Sequence, residues 1–502
     1  MLGRRLLTTV GMATLLALSS CISPGEGPDP PPDSLYFPVA ASVSPGGHTL
    51  YVANSDFDLQ FNGGTVLALD LDRVRAMLPP IWDPSNPAFP CAGLGDNTDR
   101  MLYPGRCGPM DLNAPPDGLG SLVGASVQIG AFASDMIVVP RNDGPGARMF
   151  LPVRGDPSIT WIDLDDDRYL AGGAPNRFVA CGQSADSPRC SETHRAGIDP
   201  ATNLRGAMLP PEPYSLAASE AGDAIVVSHQ TSGSMSLITN PWDGIPALQF
   251  VGGGFPYGAV GVAALPVPEF VRVTHAPYQP GFLATFRSAP EVDLIRYFDD
   301  SAAAPMRPFI TRAGASAITV NASGYDSRGI ALDPSARKAC ETACLAESEC
   351  LRACANVPVA VYIANRAPPS LLVGETRANV SLTGSDDLIT IFDTVPLGYG
   401  PSIVRVGSII NRDGVSEPRV LVSCFDSRYL FIYDPAGHRV DGQVRTGRGP
   451  HGLVMDPNNP LLYVVHFTDS YIGVIDLDQR HAGTYATLIT TLGTPVPPRE
   501  SK

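Results

Sequence analysis

The sequence predicts an all-β chain folded as a seven-bladed β-propeller, with Cys-containing loop insertions and a short helical hairpin. Two observations carry this. A three-part strand pattern recurs seven times along the chain, and Gly and Pro number 50 each. So many chain breakers suit short strands joined by turns and exclude long helices. A radial repeat also accommodates 502 residues without a second core.

The C-terminal copy is the clearest. His451-Gly-Leu-Val-Met-Asp-Pro-Asn-Asn leads to Leu461-Leu-Tyr-Val-Val-His466 and then Tyr471-Ile-Gly-Val-Ile-Asp476: strand, turn, strand, turn, strand ending in Asp. The N-terminal copy runs Ala40-Ala-Ser-Val, Leu50-Tyr-Val-Ala-Asn54 and Thr65-Val-Leu-Ala-Leu-Asp70. Third elements follow at Ile159–Asp163, Met235–Thr239, Val292–Phe298, Leu388–Asp393 and Tyr429–Asp434. Asp393 to Asp434 spans 41 residues and Asp434 to Asp476 spans 42, the length of a four-stranded blade. Val, Ile, Tyr and Leu between Gly/Pro/Asn turns are the expected strand composition.

On Leu50-Tyr-Val-Ala-Asn54 and Val361-Tyr-Ile-Ala-Asn365, each followed by a Val-x-Val-Ile-Asp-like strand, the chain resembles the YVTN-type propeller repeats of bacterial surface proteins and the lactonase-like propeller superfamily. The likeness is good in blades one, five and seven and loose in two and four. It implies fold more than activity, since propellers host many functions. For a lactonase it implies acidic, His and Arg groups converging in the central channel, and the sequence aligns no such set.

Residues 1–20 read as a signal peptide: Arg4 and Arg5, an apolar run from Leu6 to Leu18, then small residues. Leu18-Ser19-Ser20-Cys21 resembles the bacterial lipobox, which implies lipidation of Cys21 and a membrane partner through that lipid. Several acyl chains hold a soluble domain on a bilayer far better than one. An ordinary secretory signal with an incidental cysteine is the alternative. Residues 21–33 form a Pro/Gly-rich tether, 34–495 the propeller, and 496–502 a tail. Ile22 after the cysteine lacks the Asp that favours inner-membrane retention in some bacteria, so the expected place is the outer membrane, on its periplasmic or surface side.

The formal charge of −15 and the lack of any basic run argue against nucleic-acid binding. A monomer is expected. In an exported chain, ten cysteines point to disulfides. Cys91 with Cys107, and Cys181 with Cys190, close short insertions after blades one and two. Residues 336–355 have helical composition, and the spacing Cys340-x3-Cys344-x5-Cys350-x3-Cys354 sets two cysteines on one face of each of two helices. Nested bridges Cys340–Cys354 and Cys344–Cys350 would staple them, resembling helical hairpins with twin C-x3-C motifs. A metal site is the alternative, although zinc ribbons prefer C-x2-C. Cys424 is read as a buried inert thiol.

No catalytic residues, metal ligands or cofactor are assigned. His229 and His466 stand where other blades have Asn54 or Asn365, which suggests a capping role, while His451 borders the channel. Asp163-Leu-Asp165-Asp166-Asp167 lacks the layout of a calcium loop, and Asp-Leu-Asp also ends blades one and seven, which favours turn capping. The leading function is therefore a membrane-anchored binding or scaffold module for an unidentified protein or small-molecule partner. A lactonase-like hydrolase or other propeller enzyme, with its site in the channel, is second. A redox-docking role is third, with no C-x-x-C-H haem site in the chain.

Overall fold

A computed structural model describes residues 27–496 apart from 79–90, 92–93, 96, 98–103, 171–174, 185–186, 204, 276–277, 300–306, 319–324 and 378–387. Seven antiparallel sheets, each taking its main strands in sequence order, form a seven-bladed β-propeller. Their first strands are Pro38–Val43, Ile137–Pro140, Pro213–Ala218, Ala259–Ala264, Ser327–Asp333, Pro401–Ile410 and Pro450–Met455. In blade two the outer edge is split between Val179–Ala180 and Arg195–Ala196, both paired to Ser158–Leu164. Among the described residues no helix is long and apolar enough to cross a membrane.

The core is distributed, not central. Each pair of neighbouring blades encloses its own apolar cluster; Phe150, Ile159, Leu216 and Ile225 lie between blades two and three, for instance. A cluster with Leu50, Leu67, Tyr463 and Ile472 lies between blades one and seven, so the ring closes through the same packing. Every sheet thus buries both faces against neighbours, which explains strands that are apolar almost throughout.

Closure is reinforced by the first insertion. Arg106 N, Cys107 N and Met110 N donate to Leu488, Ile489 and Thr491 carbonyls, so residues 106–110 run parallel to the outer strand of blade seven, Leu488–Leu492. Helix α1 (Leu71–Ala76), N-capped by Asp70, carries Arg75 into a two-bond contact with Asp456 of blade seven, both bonds 2.8 Å. The second insertion does the same one interface on: Gln128 N donates to the Pro188 carbonyl and Cys190 N to that of Gln128. Cys91–Cys107 and Cys181–Cys190 are bonded within these two straps.

Three sequence expectations need correction. Leu388–Asp393 is not the third strand of blade five: Pro369–Thr376 is, and Ile389–Pro396 is the fourth. The true third strand opens on Pro369, carries Gly374 and lacks a terminal Asp, so it hides behind its better-patterned neighbour. The 41-residue interval therefore compares unlike strands. Helical structure is also wider than residues 336–355. Besides α1 there is α2 (Glu269–Thr274), whose Val271, Val273 and Thr274 give it no intrinsic preference. It forms because Phe270 packs on Leu351, Cys344 and Cys354 of the hairpin made by α3 (Ser335–Ala343) and α4 (Ser348–Ala355). Cys340–Cys354 and Cys344–Cys350 are bonded across that hairpin. Finally, the stretch read as a free tether is docked from Pro28 onward: Asn62 N donates to the Pro28 carbonyl and Asn62 Nδ2 to Asp29, at 3.0 and 2.7 Å. Residues 1–20 and Cys21 lie outside the described residues.

Candidate functional site

In a sheet of four sequential strands, the links between second and third strands and those to the next blade lie on one side. This side, the mouth face, holds the convergent side chains. The link between first and second strands, which in blades four and five contains α2, α3 and α4, lies on the opposite side.

The mouth is built by a repeated corner. The residue entering the first strand has positive φ in six blades: Phe37, Phe132, Glu212, Gly258, Gly400 and Gly449, at 44°, 61°, 55°, 78°, 75° and 66°. Phe132 belongs to the set because Ala133 pairs with Val153 as Pro38 pairs with Asn54. Glycine takes this conformation freely, whereas a residue with Cβ costs about 1–2 kcal/mol there. Blades four, six and seven use glycine. Blades one, two and three place Phe, Phe and Glu, a choice the backbone alone would reject.

Those side chains help form a basin. Phe37, Phe57 and Phe132 cluster with Phe467, and Phe425 joins at the edge, with ring centroids 5.1–6.4 Å apart. Phe57 is 52% exposed, whereas Phe37, Phe132, Phe425 and Phe467 are partly buried, with Phe467 packed on the core between blades one and two, so the cluster meets solvent at its rim. Nearby, Asp56 also has a left-handed backbone, and burial pushes its carboxyl up to about 7.

The other half of the mouth is charged. The residue following the second strand is Arg154 and Arg287 in blades two and four and Phe425 and Phe467 in six and seven, while in blade five Arg366 is the last residue of that strand, directly after Asn365. Arg154 pairs with Glu212 and lies over Tyr214. Arg328 pairs with Asp326 at 2.7 Å. Arg366 donates to Ser402 Oγ at 2.9 Å, and burial, followed by the neighbouring Arg328 charge, lowers its pKa.

His451 stands at the centre. Its Nδ1 is 2.9 Å from the Val39 carbonyl, which can only accept, so Nδ1 carries the proton. Burial lowers the pKa, leaving Nε2 an acceptor in the neutral ring; the charges of Asp135, Arg366 and Arg328 also act on it. A register shift after the first residue pair in the first strands of six blades, His451's among them, turns these positions toward the mouth. Below, a cavity of about 520 Å³ runs from Asp135 and Arg405 to Asn142 and Glu220, walled mainly by Val, Ala, Leu and Ile.

The remaining sequence candidates are structural. His229 donates from Nδ1 to the Pro211 carbonyl, 3.1 Å, and accepts at Nε2 from Ser236 Oγ, 2.8 Å; burial lowers its pKa to about 4. His466 sits inside blade seven stacked on Tyr471, with its pKa pushed down to about 3 by burial. The two do not meet. Asn54 and Asn365 each accept from the backbone entering their blade, Tyr36 N and Asp326 N. Asp166 accepts from Gly146 N and Arg168, while Asp167 accepts from Ser44, Gly46 and His48 of blade one. Asp70 caps α1, and Asp476 accepts from Asp478 N and Thr484 Oγ1. Cys424 is fully buried, and burial pushes its thiol up to about 12. Among the described residues the one metal-like grouping is Cys340, Cys344 and Cys354, whose sulfurs are bonded in the two bridges.

The sequence signalled His451 alone of this site. The corner is detectable in retrospect: Gly400-Pro401 and Gly449-Pro450 align with Phe37-Pro38 and Glu212-Pro213.

No protein-family model matches the chain, and no curated protein matches it. Among solved structures it is similar to a proposed 6-phosphogluconolactonase of Bacteroides fragilis: 13% identity, 91% of this chain and 95% of that one covered, TM-score 0.46. Hydrazine synthase of Kuenenia stuttgartiensis (11%, 88% and 96%, 0.43) and a streptogramin B lyase (10%, 88% and 94%, 0.42) are similar at the same level. At such identities no activity passes to this chain.

Proposed function

We propose that the chain is an extracytoplasmic lipoprotein, tethered through Cys21, whose propeller is a binding module with its recognition surface at the mouth. The observation that carries this is the strained corner: Phe37, Phe132 and Glu212 hold places that suit glycine, and they border a partly exposed aromatic basin beside an arginine arc. Side chains kept at a backbone cost on a surface serve recognition. Gly27 lies against Phe61 and Asn62 on the mouth side, six residues after Cys21. Six residues reach about 20 Å at most. A lipid on Cys21 would therefore hold the mouth toward the membrane, with the helical hairpin facing away.

Cross-linked envelope proteins captured by the wild type and by a Phe37→Gly/Phe132→Gly variant test the reading. A species captured by the first and lost by the second supports it; identical captures refute it. Mass spectrometry of Cys21 tests the tether separately, and an unmodified cysteine would remove it.

A hydrolase is the second reading, favoured by one observation: His451 presents Nε2 to the channel near Arg328, Arg366 and Asp135. A positioned neutral imidazole suits general-base work, and arginines suit a developing oxyanion. Turnover of a lactone panel, abolished by His451→Gln, would establish it. No turnover, or turnover unaffected by that change, would exclude it.

A further inference from the structure

Arg405, on the first strand of blade six, opens into the channel below His451. It is exposed there and has no hydrogen bond or ion pair among the described residues. The channel's carboxylates are engaged. Asp135 accepts from Met136 N, Ser215 Oγ and Leu216 N at 2.8, 2.8 and 3.4 Å. Glu220 accepts from Val267 N and pairs with Arg272. A guanidinium without a partner thus faces a cavity of about 520 Å³ whose walls include Leu216, Val260, Val262, Ile330 and Val404. That volume falls in the ordinary range of ligand sites, which pair apolar walls with few polar anchors.

We propose that this channel binds a small amphipathic monocarboxylate, a medium-chain aliphatic acid. Its carboxylate sits on the fork of Arg405 and its hydrocarbon lies along the first strands of blades three to six. A planar two-oxygen anion matches the guanidinium. A phosphate dianion fits less well, because Asp135 shares the wall and no second unpaired cation is there among the described residues. The inference stands independently of partner binding at the mouth.

Calorimetric titration of the full-length chain carrying Cys21→Ser, with octanoate, octylamine and 1-octanol, tests it. Octanoate should bind saturably at one site, and the amine and alcohol at least tenfold more weakly. Arg405→Gln should weaken octanoate at least tenfold without changing octanol, while Arg405→Lys retains part of the affinity. Arg412→Gln, exposed on the first hairpin of the same blade, should change nothing. Near-UV circular dichroism confirms the fold of each variant. Three results would overturn the proposal: no saturable octanoate binding, equal binding of octanoate and octanol, or the same octanoate affinity in Arg405→Gln as in the wild type or Arg412→Gln.

Discussion

Replacing Arg75 by alanine should loosen the junction of the first and last blades. Asp456 has a fully buried side chain and receives both guanidinium bonds of Arg75. Removing one member of a buried pair typically costs about 3–5 kcal/mol, because the other charge is left without its counterion. Here three donors remain on Asp456: Tyr463 Oη and the backbone N–H groups of Asn458 and Asn459. The expected loss is therefore near the lower end, about 3 kcal/mol. In a chain this long each kcal/mol moves the melting temperature by roughly 1–2 °C, giving a fall of about 3–6 °C. Urea titration followed by circular dichroism reads the free energy. An Arg75→Met/Asp456→Leu double variant should recover most of the loss, since an apolar replacement of both partners removes the unpaired charge. A loss under about 1 kcal/mol for Arg75→Ala, or a double variant as unstable as the single one, would refute this view of ring closure.

Three further outcomes follow from buried groups and small cores. Asp56 has its folded pKa raised above its unfolded value, so the folded state holds a proton that the unfolded state releases. Its contribution is present below the ordinary carboxylate pKa and is lost as pH rises toward about 7. Asp56→Asn should therefore gain on the wild type by about 1–2 kcal/mol more at pH 8 than at pH 4 in urea titrations; an equal gap at both would contradict the assignment. Cys424, with its thiol pushed up to about 12, should resist iodoacetamide in the native protein and react in urea; native labelling would show it is not buried as described. Serine at Cys340, Cys344, Cys350 and Cys354 should expose the α2–α4 module to trypsin, because its core is only Phe270, Leu351, Ala355 and the bridges, while the propeller keeps its melting curve. Propeller unfolding in step with the module would contradict that separation.

Blade count was legible in sequence because Val-rich strands ending in Asn or Asp repeat with the sheet. Strands buried on both faces leave a strong apolar signal. Pro369–Thr376 escaped because its signal is diluted by Pro369 and Gly374. Helix α2 escaped because it is made by tertiary packing on Leu351 and not by its own residues. The mouth was harder still. Its arginines and phenylalanines come from five or more blades and are ordinary residues at scattered positions. Only the shared corner and the strand bulges bring them together. The channel anchor Arg405 is likewise unremarked in sequence, since what distinguishes it is the lack of a neighbour within reach among the described residues.

If the mouth's corner residues serve recognition and not folding, the urea stability of Phe37→Gly and Phe132→Gly should stay close to that of the wild type. Relief of left-handed strain, about 1–2 kcal/mol, should offset most of the contacts of a ring that is only partly buried, leaving each variant within about 1 kcal/mol of the wild type. A loss of about 3–5 kcal/mol, as for a core phenylalanine, would mean that these rings are packing elements and that the mouth is not set apart.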